Sequence, residues 1–244
     1  MPIVDNQTLR NVVLEKYNLA KSSLEENKVL LEKYGAISDR IPSYQANKMQ
    51  FGAFNQDEFI ALFSDMRGST IRSQEIGPAK TFLTMHAVIP TMIYVVEAYQ
   101  GFIVDIPGDG VMALFKKGKS TTIYWDEKST GNREYLNGES LAVSASEVLL
   151  ESLRDVVNPI LISDGIPPVE FGVGIATGSV IVTKTGTNQT FDTKAIGDCI
   201  NIASKYSNGK NEIKLTKATY QQLRKSTQSR YIFGNVDVFT RKIL

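Results

Sequence analysis

One cysteine, one histidine and one tryptophan are all that 244 residues contain of those types. The lone Cys199 excludes an internal disulfide framework, and the lone His86 leaves little from which to build a zinc site. A charge of one sign is also missing, since 27 basic residues oppose 26 acidic ones for a net +1. No basic excess therefore advertises nucleic acid or an anionic membrane. Long hydrophobic runs are absent too. The longest, around AVIPTMIYVV (87–96), is too short for a bilayer and carries Pro90, with Glu97 just after it. The opening MPIVDNQTLR lacks the basic-then-apolar pattern of a signal peptide. These absences lead us to expect a cytoplasmic protein with no membrane or nucleic-acid partner.

What is present reads as an ordinary globular chain, 42% hydrophobic and 22% charged. Leu9, Val12, Val13, Leu19, Leu24, Leu30 and Leu31 recur among charges over 7–33, an imperfect amphipathic helix with Asp5 or Asn6 as N-cap. GAISDRIPSYQ (35–45) reads as an irregular linker. We therefore expect a helical extension over 1–50 and a main domain over 51–244. Within it the patterns predict strand 59–65, helix 79–99, strands 101–106 and 110–116, and a polar insertion over 116–140. A helix over about 140–160, strands 170–176, 179–184 and 191–196, a helix over 198–207, strand 212–215, helix 216–226 and a last strand 231–240 follow. IPGDG (106–110) suits a hairpin turn with positive φ. A βαββ start followed by αβ elements implies an α+β fold, a mostly antiparallel sheet with helices on one face.

Two segments carry the chemistry. FIALFSDMRGST (59–70) and VDIPGDGVMALF (104–115) each deliver an aspartate, Asp65 and Asp109, from an apolar strand into a Gly-containing turn. Gly68 lets backbone approach a phosphate closely, and Ser69 and Thr70 can cap a helix or meet phosphate oxygens. Either motif alone is equally an acidic turn. In βαββ topology, however, the first strand neighbours the hairpin, so the two carboxylates converge and need a cation between them. Magnesium suits them, taking carboxylate and phosphate oxygens without histidine or cysteine. In KAIGDCINIASKYSN (194–208), Asp198 opens a helix, where capping explains it well. Asn201 and Lys205, four apart, share a face. His86 and Cys199 read as packing residues, and the insertion with Trp125 as a surface hairpin or arm.

FSDMRGST, PGDGVMALF, FGVGIATGSV (171–180) and IGDCINIASK, in that order and spacing, resemble the class III nucleotidyl cyclases over roughly 55–225. The resemblance implies a ferredoxin-like, palm-type βαββαβ domain and a homodimer with composite active sites. Asp65, Met66 and Asp109 would hold two divalent metal ions (Mg²⁺ or Mn²⁺), and Arg67, Gly68, Ser69 and Thr70 would bind the phosphates of a nucleoside triphosphate. Asn201 would orient the ribose of a substrate bound to the other subunit, and Lys205 would offset charge at the α-phosphate. The family usually has arginine at the last position, and Lys205 keeps the charge without the planar fork. Arg67, Arg241 and Lys242 are cations that could assist it.

The base-reading positions depart further. Adenylate cyclases of the family place lysine, and guanylate cyclases glutamate, three residues before the hairpin glycine; here Asp105 stands there. The partner position, usually Asp or Thr for adenine and Cys for guanine, holds Lys194. A carboxylate and an ammonium could read uracil, cytosine or a matching purine edge, or could simply pair with each other. The build of the chain resembles the bacterial pyrimidine cyclases of Pycsar anti-phage defence, whose cyclic UMP or cyclic CMP activates a separate effector. That tips the expected substrate to UTP, then CTP. Tyr44, Phe51 and Phe54 read as core residues or as crowding of the base pocket.

Overall fold

The computed structural model describes residues 4–26, 49–118, 121–123, 134–234 and 237–243. The linker, Tyr44 and Trp125 lie outside the described residues. Helix α1 (Asn6–Glu26) precedes strand β1 (Phe54–Met66) and helix α2 (Ser69–Ala98). Strands β2 (Phe102–Asp105) and β3 (Val111–Lys116) form the expected hairpin, and the short strands β4 (Thr121–Ile123) and β5 (Glu134–Leu136) pair with each other. Helix α3 (Gly138–Ser152) runs through a π-helical turn into α4 (Asn158–Ser163). Strands β6 (Phe171–Gly186) and β7 (Phe191–Ile196), helix α5 (Asp198–Tyr206), strand β8 (Glu212–Thr216), helices α6 (Lys217–Gln221) and α7 (Lys225–Gln228), and strands β9 (Ile232–Phe233) and β10 (Val238–Lys242) complete the order.

The main sheet runs β2-β3-β1-β6-β8-β10-β9, with β7 paired to β6. Every pairing in it is antiparallel except β6 with β8. The α+β architecture with an antiparallel-dominated sheet thus matches the expectation. The helices, however, cover both faces. Alternation along β1 sends Ile60 and Leu62 into the larger core beneath α1, α2 and α3, and Phe59 and Ala61 into a second core with Cys199 and Ala203 of α5. Both sets are shielded from water, which explains why FIALF reads as a continuous apolar run.

Several boundaries move. The expected strands 170–176 and 179–184 are one strand, β6, whose whole first half pairs with β1. Helix α2 starts ten residues early, at Ser69, and is interrupted at Gly77, whose φ of 77° and ψ of 171° are not helical. Gly77-Pro78 is thus a kink within the helix and not its start. The expected helix 216–226 divides into α6 and α7, and the last strand into β9 and β10. Helix α2 is long and apolar enough to cross a membrane by length and composition. Here Ala87, Val88, Met92, Val95 and Val96 of that helix are buried in the larger core.

Val4, Leu9, Val13, Tyr17 and Ala20 bring α1 into that same core. A polar tether fixes its far side. Tyr17 Oη donates to Asp164 Oδ2 at 2.9 Å, and Lys21 Nζ donates to both Asp164 oxygens at 2.9 and 3.1 Å. The Lys21 ammonium, followed by the Tyr17 hydroxyl, holds the Asp164 carboxyl below its ordinary value. Its contribution is therefore present above the unfolded carboxylate value, near 4, and is lost as pH falls through the lower folded value. Asp164→Asn is expected to lower stability at pH 7 by up to about 1 kcal/mol. In urea titrations that difference should shrink as the pH is lowered below the ordinary carboxylate value. A difference that persists there would show that the charge is not what anchors α1.

Candidate active site

Asp65 and Asp109 arrive at one edge from two directions. Asp65 is the last residue but one of β1, opposite Gly172 of β6. Asp109 stands in the turn between β2 and β3, closed by Gly110 N donating to Pro107 O at 3.2 Å. Gly110 presses that turn onto the end of β1. A β-carbon there would clash with the Ser64 carbonyl oxygen and stand 3.6 Å from Asp65 Cα. Only glycine permits this approach, and it brings the two acidic segments together as the topology led us to expect.

The carboxylates differ in what surrounds them. Asp65 is ion-paired with Arg67, and Asp109 Oδ2 is buried without a hydrogen-bond partner. A buried carboxylate oxygen left unsatisfied is costly unless something binds it. A divalent cation with oxygen ligands fits that vacancy in hydrogen bonding, with phosphate oxygens making up the ligand count. Among the described residues no cluster of three or more His, Cys, Asp or Glu could hold a metal alone. Two carboxylates and the Met66 carbonyl would thus need the substrate to complete the shell.

Gly68, with φ of 66°, turns the chain from β1 into α2. Ser69, Thr70, Arg72, Ser73, Ile76, Thr81, Thr84 and Met85 of α2 join Met66, Gly108 and Asp109 around a cavity of about 380 Å³. Ser73, Thr81 and Thr84 donate to backbone carbonyls within α2, each at 2.8 Å. Ser69 and Thr70 make no such bond and face the space beside Asp109. Arg72, a residue the motifs did not single out, ties this helix to the chain before β6 by donating to the Pro167 carbonyl and, at 3.0 Å, to that of Pro168. No residue of α5 lines the cavity.

Helix α5 lies flat on β6 because glycines face it. A β-carbon at Gly174 would collide with the Ala203 carbonyl, and one at Gly178 would stand 3.0 Å from Cys199 Cβ. Cys199 and Ala203 are therefore buried, and burial pushes the Cys199 thiol pKa up, away from reactivity. Asn201 and Lys205 fall on the opposite, exposed side. The pair is presented outward, as a contribution to a neighbouring copy requires. Of the cations that could assist Lys205, Arg67 pairs with Asp65 and Arg241 with buried Glu147. Lys242 is exposed at the end of β10.

The base-reading positions are both exposed. A register shift between Ile103 and Asp105 sets Asp105 beyond a bulge, with its Oδ1 accepting from Ile106 N at 2.8 Å. Lys194 pairs with Asp192, two residues away on β7, at 2.8 Å. Its pKa is raised first by that contact and only lastly by Asp105. The two therefore do not close on each other as an ion bridge. Phe51 and Phe54 are exposed rather than core, and Lys184 Nζ lies 4.6 Å from the Phe51 ring and 3.8 Å from that of Phe191.

No protein-family model matches the chain. It is 27% identical over 157 residues to an adenylate cyclase of Anabaena cylindrica, covering 64% of this chain and 28% of that protein. It is 25% identical over 214 residues to a cytidylate cyclase of Staphylococcus aureus, covering 83% of this chain and 47% of that protein. The solved guanylyl cyclase Cya2 shares the fold with a TM-score of 0.59 at 21% identity, over 76% of this chain and 90% of that one. The chain is thus similar in sequence to nucleotide cyclases and shares the fold of solved class III cyclase domains. The chain spans less than half the length of the relatives it matches by sequence.

Proposed function

We propose that the chain is a nucleotidyl cyclase that converts a pyrimidine nucleoside triphosphate to its 3′,5′-cyclic monophosphate and pyrophosphate. The observation that carries this reading is the meeting of Asp65 and Asp109 at one sheet edge, with a buried Asp109 oxygen left open. Asp65, Met66 and Asp109 would hold two Mg²⁺ or Mn²⁺ ions, and Gly68, Ser69 and Thr70 would receive the triphosphate. Such ions, when bound, supply Lewis acidity at the ribose 3′-hydroxyl and at the leaving phosphates. The 3′-oxygen loses its proton to water and bonds to the α-phosphorus as the bond to the β-phosphate oxygen breaks. Pyrophosphate departs with that electron pair. Asn201 of a second copy would orient the ribose, and its Lys205 would offset charge at the α-phosphate. A homodimer with two composite sites follows from that division of labour.

The base is assigned by Asp105 and Lys194. An acceptor and a donor suit uracil through N3–H and O4, or cytosine through N4–H₂ and N3. The Staphylococcus relative, named a cytidylate cyclase, keeps CTP level with UTP. The Anabaena relative, named an adenylate cyclase, favours a second reading with ATP as substrate. Incubation with each of the four triphosphates and Mn²⁺, with products identified by mass, separates these. Cyclic UMP or cyclic CMP is expected. Cyclic AMP alone would sink the pyrimidine assignment, and the absence of any cyclic product would sink the enzyme. Asp105→Ala is expected to reduce discrimination between bases by roughly tenfold or more. An unchanged preference removes Asp105 from base reading. The product would serve as a second messenger for a separate effector, in keeping with a role in anti-phage defence.

A further inference from the structure

We infer that Arg67 is a resident cation of the metal site, holding Asp65 until a divalent ion and a polyphosphate arrive together. The inference rests on the metal assignment above and adds an order of loading to it. Asp109 is the open ligand, and Asp65 becomes available only when its arginine leaves.

Three observations meet at this point. The guanidinium of Arg67 is on Asp65, with 21% and 32% of the two side chains exposed, so the pair is largely sheltered from water and salt. The Arg67 backbone is fixed, its N–H donating to Glu170 O at 2.8 Å, so the side chain departs from a set position beside β1. Finally, Arg67 Nε is buried without a partner. Arg72 Nε is likewise without a partner, so what sets Arg67 apart is its acceptor, a carboxylate of the candidate metal site.

The contrast with Arg72 sharpens the point. Arg72 lines the cavity beside Asp109, which Arg67 does not, and donates to the Pro167 and Pro168 carbonyls. Two carboxylates gathered at one edge repel unless a cation lies between them. Arg67 supplies that charge to the resting protein and so competes with a divalent ion for Asp65. Phosphate oxygens offer the freed guanidinium a second partner of matching geometry. Metal and polyphosphate must then favour each other's binding, each relieving the cost the other meets.

The test is Mn²⁺ titration of the full chain without nucleotide, following free Mn²⁺ by electron paramagnetic resonance. Arg67→Gln is expected to tighten Mn²⁺ binding about tenfold, the loss of one competing ion pair. Arg72→Gln removes a like charge from the cavity beside Asp109, where the guanidinium is held by backbone carbonyls, and is expected to change it less than twofold. Arg67→Lys, which keeps a cation beside Asp65, should stay near the wild type. If Arg67→Gln leaves affinity unchanged, or only matches Arg72→Gln, the resident-cation role is overturned. Asp109→Asn separates the two levels of the argument. Binding lost in Asp109→Asn yet unaltered in Arg67→Gln overturns only the role of Arg67. Equal Mn²⁺ binding by the wild type and Asp109→Asn, or none by either, overturns the metal site itself and the inference with it.

Discussion

Alanine in place of Asp109 should lower cyclase turnover by about 10³-fold or more, about 4 kcal/mol of transition-state stabilisation, and leave the fold intact. The asymmetry follows from the side chain's surroundings. Asp109 Oδ2 accepts no hydrogen bond, so the folded protein loses little by its removal. The turn is kept by Gly110 and Pro107, whose backbone bond does not involve the carboxylate. A merely structural acid would behave the other way, losing stability before activity. Asp65→Ala should match it in activity but not in stability. There the Arg67 guanidinium, largely covered, is left without its carboxylate. Product formation by mass and thermal melting of both variants check the pair of claims. Turnover within tenfold of the wild type for Asp109→Ala would remove it from the chemistry.

Much of this site was legible because its positions are set by local rules. The apolar run before Asp65 and the Gly-Asp-Gly turn at Asp109 each fix a backbone, and a βαββ order puts them side by side. Glycine was the residue read least well. Thr177 and Gly178 fall between two expected strands, yet β6 runs straight through them. Those glycines mark where the backbone and side chains of α5 lie against the sheet, a contact with no local signature. At Gly77-Pro78 the opposite happened, since a true break was taken for a beginning. Asp105 sits beyond a bulge that nothing in FIVDIPG announces.

The partner that Lys194 takes has a local explanation. Lys194 and Asp192 are two residues apart on β7, where alternate side chains share a face. That proximity favours the local pair over a distant one, and it was there to be read. Arg241 could not be placed this way. Its partner, Glu147, lies within ASEVLLESLRDVV, where an acidic residue ordinarily marks the solvent side of a helix.

Glu147→Ala is expected to produce the largest loss of stability, about 3 kcal/mol in urea denaturation. Only 7% of the residue is exposed. Arg230 Nη1 donates to its Oε2 at 2.6 Å, Tyr231 Oη donates to Oε1 at 3.2 Å, and Arg241 pairs with Oε1. One carboxylate on α3 thus fastens the chain before β9 and the end of β10. Burial, and then Glu147, push the Tyr231 pKa up, so the phenol stays protonated and keeps donating. Alanine would leave two guanidinium groups facing each other over a space no longer charged against them. Leucine at both 147 and 241 should recover part of the loss, because burying neither partner removes the desolvation that the pair must offset. A loss below 1 kcal/mol for Glu147→Ala would mean that water reaches both arginines and replaces the carboxylate. Activity separates this effect from the chemistry. β10 joins the sheet through β8, at the far side of β6 from β1, so catalysis by the folded fraction should be preserved. Turnover that falls with the folded population, and no further, is what a purely structural carboxylate gives.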